Sequence, residues 1–158
     1  MNQLPQDPAD GQAREARPSC TQEERVCRVL LVEDCPNAQQ LLLRILKIAG
    51  AEVTLECNGQ AAIDRLASSR SVQDGFDLIV TDLRMPVLDG IEMTRRLRKE
   101  GCTIPIVMCS AEMGATVQEQ ALDAGCNSFL SKSSAYEELG AHVRRFTGDV
   151  LNHGRKSR

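Results

Sequence analysis

Short apolar runs punctuate this chain, and between them apolar positions recur at helical spacing. Val29-Leu30-Leu31-Val32 sits inside a strand predicted over Arg28–Glu33, while Phe76–Asp82 and Ile104–Cys109 carry longer runs of the same kind. Such runs, bounded by turn residues, are those of strands buried on both faces. Val53–Cys57 instead alternates apolar with polar residues, as an edge strand exposed on one face does, and Ser128–Ser131 makes a fifth strand. Helices are predicted between them. The first covers Pro36–Ala49, with Pro36 suited to a first turn, Leu42, Ile45, Leu46 and Ala49 sharing a face, and Gly50 as the stop. Others cover Gly59–Ala67, Gly90–Glu100 with Ile91, Met93, Thr94 and Leu97 inward, and Thr116–Ala124 with Gly125 as its cap. The last runs from Ser134 to Phe146, with Ser134 and Glu137 at the spacing of a capping box. Strand and helix alternating five times predict an α/β fold. Its sheet is parallel and doubly wound, with five strands, five helices on both faces and right-handed crossovers.

Composition narrows the picture without changing it. With 158 residues there is room for one ordinary domain, placed over 27–146. Residues 1–26 are rich in Pro, Gln and charge and poor in large apolar side chains, so they read as a disordered tail; 147–158 form a basic tail. A net charge of −3 points away from nucleic acid or membrane as the main partner. Arg95, Arg96, Arg98 and Lys99 cluster on the third helix, but no aromatics interleave them, and they read as a solvated face. Seven cysteines without C-x-x-C or Cys/His spacing support neither a disulfide framework nor a zinc site, and fit a reducing compartment. No signal peptide or membrane-length apolar run is present, so a cytoplasmic location is expected. Cys35, directly after Asp34, is the thiol nearest any chemistry and reads as a spectator.

The chemistry gathers at the carboxyl ends of the strands, where ligands sit in open α/β sheets. Asp82 closes the Phe76–Asp82 run and is followed by a loop marked by Pro86 and Asp89-Gly90; Glu33 and Asp34 close the first strand in the same way. Any one of these acids alone would read as a solvated loop residue. Three at one sheet edge repel each other unless a cation sits among them, and Mg²⁺, an oxygen-preferring ion, suits the place. Ser110 ends the fourth strand and Lys132 follows the fifth, adding a hydroxyl and an ammonium. Acids for a metal, an Asp nucleophile, and two groups for phosphoryl oxygens make a phosphoryl-transfer set.

In Glu33-Asp34, Asp82-Leu83-Arg84-Met85-Pro86 with Asp89-Gly90, Ser110-Ala111, and Phe129 three residues before Lys132, the chain resembles the receiver domain of two-component response regulators over 27–146. The resemblance implies strand order 2-1-3-4-5, the flavodoxin-like order. It makes Asp82 the phosphoacceptor, with Ser110 and Lys132 contacting the phosphoryl group. Asp34, Asp82 and the Arg84 backbone carbonyl would ligate Mg²⁺, with Glu33 acting through water. Phe129 would turn inward on phosphorylation, its alternative being a static core aromatic. Pro usually follows the Lys in this family, with a cis peptide. Here Ser133 follows, and the sequence leaves cis and trans open.

A phosphoryl donor is therefore expected on a partner histidine kinase or histidine phosphotransfer protein, since His142 and His153 are placed late in the last helix and in the tail. Few residues follow that helix, too few for an output domain, so output is expected through contacts with another protein, made by the fourth helix, fifth strand and fifth helix, or through onward transfer to a histidine phosphotransfer partner. The assembly expected is a monomer or a weak phosphorylation-dependent dimer. The protein reads as a signalling switch rather than an enzyme. An aspartate-nucleophile phosphatase of the haloacid dehalogenase type would want an Asp where Arg84 stands, and a flavodoxin-like cofactor binder would have its phosphate repelled by Glu33-Asp34.

Overall fold

Residues 26–68 and 75–147 are described by the computed structural model, the side chains of Tyr136 and of 144–147 excepted. The predicted disordered tail up to residue 25, the basic tail from 148 onward and the side chain of the only tyrosine thus lie outside the described residues. The elements are β1 (Arg28–Val32), α1 (Pro36–Ile48), β2 (Glu52–Glu56), α2 (Gly59–Ala67) and β3 (Leu78–Asp82). They continue with α3 (Gly90–Lys99), β4 (Ile106–Ser110), α4 (Ala115–Asp123), β5 (Ser128–Ser131) and α5 (Ala135–Thr147). All strand pairs are parallel and the order is β2-β1-β3-β4-β5, as the resemblance implied.

Side chains alternate across the sheet and feed two cores. On one face Leu30, Val32, Ile79, Ile106 and Met108 pack with Ala62 and Leu66 of α2, Met93 and Leu97 of α3 and Ala121 of α4. On the other, Val29, Leu31, Val80, Val107 and Leu130 pack with Leu42, Ile45 and Leu46 of α1 and Leu139 and Val143 of α5. Fully burying one such side chain contributes about 1.5–3 kcal/mol, so β3 and β4, buried throughout, and β1, buried from Val29 to Val32, anchor the fold. β2 is the edge strand predicted, although its cover is thinner than alternation suggests: Val53 reaches the second core while Leu55 is exposed.

Boundaries differ where the chemistry of single residues intervenes. The fourth strand begins at Ile106 instead of Ile104, because Pro105 has no N–H for the ladder; its carbonyl accepts from the Ile79 amide at 2.9 Å. Ser110 is the last strand residue, paired in register with Ser131 of β5. At the start of α5 the Ser134 hydroxyl donates back to the Ser131 carbonyl at 3.3 Å. Its carbonyl, not its side chain, receives the Glu137 and Glu138 amides, in place of the capping box expected.

Arg98 also departs from the solvated face read in the sequence. Nε donates to Gly125 O at 3.0 Å, Nη1 to Cys102 O at 2.7 Å and Ile104 O at 2.8 Å, and Nη2 to Asn127 Oδ1 at 2.9 Å. Asn127 Oδ1 also accepts the Ile106 amide at 2.8 Å. One guanidinium thereby joins the end of α3 to the chain entering β4 and the turn entering β5. Gly125 has φ +103, and a side chain there would begin 2.8 Å from Arg98 Cγ. Arg95 and Arg96 do lie on the surface, both paired with Glu92.

Candidate functional site

Parallel pairing of β1 with β3 in the register Val32 to Thr81 carries Glu33 and Asp34 to the side of Asp82. Carboxylate oxygens of the three lie within 4.8 Å of one another. Glu33 is fully buried, Asp82 nearly so, and Asp34 exposed. Backbone donors fix the two inner groups: the Cys35 amide reaches Glu33 Oε1 at 3.1 Å and the Leu83 amide reaches Asp82 Oδ1 at 2.6 Å. Gln39 Nε2, one turn into α1, donates to the Glu33 carbonyl at 2.7 Å.

Lys132 completes the cluster. Its amide donates to the Ser110 carbonyl at 2.8 Å, extending the β4–β5 ladder and aiming the residue at the site. Nζ is 2.8 Å from Asp82 Oδ2 and 2.8 Å from Glu33 Oε2. Among the described residues no peptide is cis, so Lys132–Ser133 is trans, and the ammonium reaches both acids without the bend a proline would impose. The Ser131 hydroxyl receives the Ser133 amide at 3.1 Å and helps hold this turn. Ser110 is buried at the end of β4, its Oγ accepting the Glu112 amide at 3.0 Å, which leaves its proton available to a further acceptor.

Burial pushes the Glu33 carboxyl above the usual carboxylate range. Lys132 pulls it down, the Asp82 charge pushes it up, and the net direction is upward. Burial alone would lower Lys132, but its pairing with Asp82 and Glu33 outweighs that and holds it above its ordinary value. Burial likewise pushes Cys109, beside Asp82 on β4, to about 12. One ammonium among three carboxylates leaves negative charge uncompensated. The approach of Lys132 to Glu33 Oε2 is oblique, and that buried oxygen receives no directed hydrogen bond. A buried carboxylate oxygen facing only an ammonium that is shared with Asp82, beside two other acids, fits a hard dication.

The loop after β3 is built to hold Asp82. Asp89 caps α3, its Oδ1 accepting the Glu92 amide at 2.8 Å, and the Gly90 amide donates back to Leu83 O at 2.9 Å. A Cβ on Gly90 would lie 2.1 Å from the Asp82 carbonyl oxygen, so only glycine allows α3 to start this close. Between them Leu88 N donates to Pro86 O at 2.8 Å across Val87, whose φ is 70. This is the rare, strained γ-turn, made by a β-branched residue that is 82% exposed.

The structure therefore brings Glu33, Asp34, Asp82 and Lys132 together, with Ser110 at the adjoining strand end. Arg84 follows Asp82 at the mouth, where its guanidinium pairs with Glu112 at 3.1 Å. Phe129 is buried with Met108 and Ala121 and already lies inward. Sequence reasoning missed Gln39, Glu112 and the γ-turn at Val87. Only Pro86, a turn former two residues before Leu88, hinted at the last.

The family model for the response regulator receiver domain matches residues 29–144, and the chain belongs to that family. It is 38% identical over 117 residues to response regulator MprA of Mycolicibacterium vanbaalenii, covering 74% of this chain and 48% of that protein. Response regulator MprA of Mycobacterium tuberculosis is likewise 38% identical, with 74% and 49% covered. The chain spans about half the length of these curated relatives. Among solved structures, the receiver domain of sensor histidine kinase PA1611 from Pseudomonas aeruginosa, with magnesium coordinated in its active site cleft, is 33% identical with a TM-score of 0.69. That match covers 78% of this chain and 99% of that one. The receiver domain of Francisella response regulator 1452 is 26% identical with a TM-score of 0.69, covering 77% and 96%. Receiver domains act as signalling switches that accept phosphoryl groups from histidine kinases. No described helix is long and apolar enough to cross a membrane.

Proposed function

We propose that this receiver takes a phosphoryl group onto Asp82 from a phosphohistidine on a partner histidine kinase or phosphotransfer protein. A carboxylate oxygen of Asp82 attacks phosphorus, the N–P bond breaks, and the imidazole leaves with that electron pair, giving an acyl phosphate. The observation that carries this reading is the pairing of Lys132 with Asp82 at 2.8 Å inside a three-acid cluster. The Leu83 amide fixes one Asp82 oxygen, and Lys132 shifts from the carboxylate to a phosphoryl oxygen as charge moves outward. Ser110 donates its free proton to a second phosphoryl oxygen. Asp34, Asp82 and the Arg84 carbonyl would hold Mg²⁺, with Glu33 reached through water, and the ion would neutralise charge between carboxylates and phosphoryl group.

Output follows from burial. Asp82 is nearly buried, so a partner protein reads a surface that moves with the phosphoryl group rather than the group itself. Ser110 and Lys132 lie at the ends of β4 and β5, which makes the face of α4, β5 and α5 the reading surface, with Phe129 behind it. We place the switch in the cytoplasm, beside kinase domains that use phosphohistidine. Incubation with acetyl phosphate and Mg²⁺ should add one phosphoryl mass that hydroxylamine removes. Asp82→Asn forming the same labile adduct at full yield would overturn the assignment.

A further inference from the structure

The rim of the site holds a charge pair for which phosphoryl transfer as described has no use. Arg84 stands two residues beyond Asp82 and Glu112 two beyond Ser110, on neighbouring strand ends. Arg84 Nε and Nη2 both approach the same oxygen, Glu112 Oε2, each at 3.1 Å. This is not the parallel two-bond fork that makes arginine–carboxylate pairs strong, and the side chains are 69% and 45% exposed. A weak, solvated pair is readily exchanged for a better anion.

Phosphodonors are such anions. They approach three carboxylates, and Lys132, the ammonium inside, is already shared between Glu33 and Asp82. Arg84 is the cation that the β3–α3 loop sets at the mouth, and its planar fork matches two phosphoryl oxygens. We propose that Arg84 captures the incoming phosphoryl group and that Glu112 masks it until that group displaces the carboxylate. Glu112 is well placed to be withdrawn, because its amide sits on Ser110 Oγ and moves with the hydroxyl that engages the phosphoryl group. The proposal rests on Asp82 being the phosphoacceptor. Arg84 then has two separate parts, its carbonyl facing the metal and its guanidinium facing the donor.

Initial rates of phosphorylation by acetyl phosphate, at saturating Mg²⁺ and low salt, test it with Glu112→Gln, Arg84→Gln and the double variant. Unmasking should raise the Glu112→Gln rate about two- to fivefold and removing the guanidinium should lower the rate similarly, the range an exposed pair can supply. The double variant should match Arg84→Gln, because Glu112 acts only through Arg84. The differences should shrink as salt shortens the screening length from about 10 Å at 0.1 M to about 3 Å at 1 M. Titration of inorganic phosphate, followed at the Arg84 Nε–H resonance, should show tighter binding in Glu112→Gln than in the parent. Equal rates in all four proteins would overturn the proposal, as would acceleration by Glu112→Gln persisting in the Arg84→Gln background. A parent that takes no phosphoryl group from acetyl phosphate would instead sink the Asp82 assignment, and the phosphate titration would still decide whether Glu112 masks Arg84.

Discussion

Replacing Arg98 with alanine should destabilise the domain far more than an ordinary surface substitution. Four acceptors lose a charged donor: the carbonyls of Gly125, Cys102 and Ile104, and Asn127 Oδ1. Hydrogen bonds to charged groups contribute about 1.5–3 kcal/mol each where water is excluded. The Arg98 clamp is partly exposed, so water can replace some of them, and the full sum does not apply. Asn127 keeps the Ile106 amide and is not left unsatisfied. A loss of about 2–3 kcal/mol is expected, or roughly 8–12 °C in Tm at about 4 °C per kcal/mol for a domain of this size. Urea unfolding followed by circular dichroism suits a chain without tryptophan, and the slope should stay at the parent value while the midpoint falls. Arg98→Lys should recover less than half of the loss, since an ammonium cannot span acceptors that a planar fork reaches together. Arg98→Ala within about 0.5 kcal/mol of the parent would refute the clamp and return Arg98 to the solvated face.

Other expectations follow from the site. Gly90→Ala should cost about 3 kcal/mol, because its Cβ would lie 2.1 Å from the Asp82 carbonyl oxygen; thermal denaturation with Tm unchanged would contradict that contact. Val87→Gly should stabilise by about 1 kcal/mol in urea, since glycine adopts φ near 70 at no steric cost and an 82% exposed Val loses almost no packing. In calorimetric titrations Asp34→Asn should weaken Mg²⁺ binding more than Glu33→Gln, and equal affinity for Asp34→Asn and the parent would remove Asp34 from direct ligation. Native alkylation at mildly alkaline pH should label exposed Cys35 and Cys57 and spare Cys109 and Cys126, whose thiols burial pushes to about 12 and about 11. The unfolded chain releases those two protons near 9, before the folded one does, so stability should fall as pH rises from about 9 toward 11.

What the sequence could disclose follows the range of the forces involved. Strand ends carrying Glu33, Asp82, Ser110 and Lys132 were legible because period and punctuation are local, and parallel pairing then gathers those ends whatever the loops do. The course of long side chains was not. Arg98 looks like its neighbours Arg95 and Arg96, and only the approach of residues 102–104 and 125–127 in space turns it into a clamp. Ser134 was misassigned for a related reason: its hydroxyl turns back to the Ser131 carbonyl, and the Glu137 and Glu138 amides go to its backbone carbonyl instead. The Lys132–Ser133 peptide needed the geometry of both acids before its trans form made sense.

α4 is held to the sheet by little. Of its nine residues only Ala121 is buried and Val117 half-buried, and the other seven face solvent. Substitution at those seven positions changes the surface offered to a partner while leaving the acids, Lys132 and both cores untouched. On the reading proposed above, in which α4 belongs to the surface a partner protein reads, recognition and phosphoryl chemistry rest on separate residues, so one would change without the other.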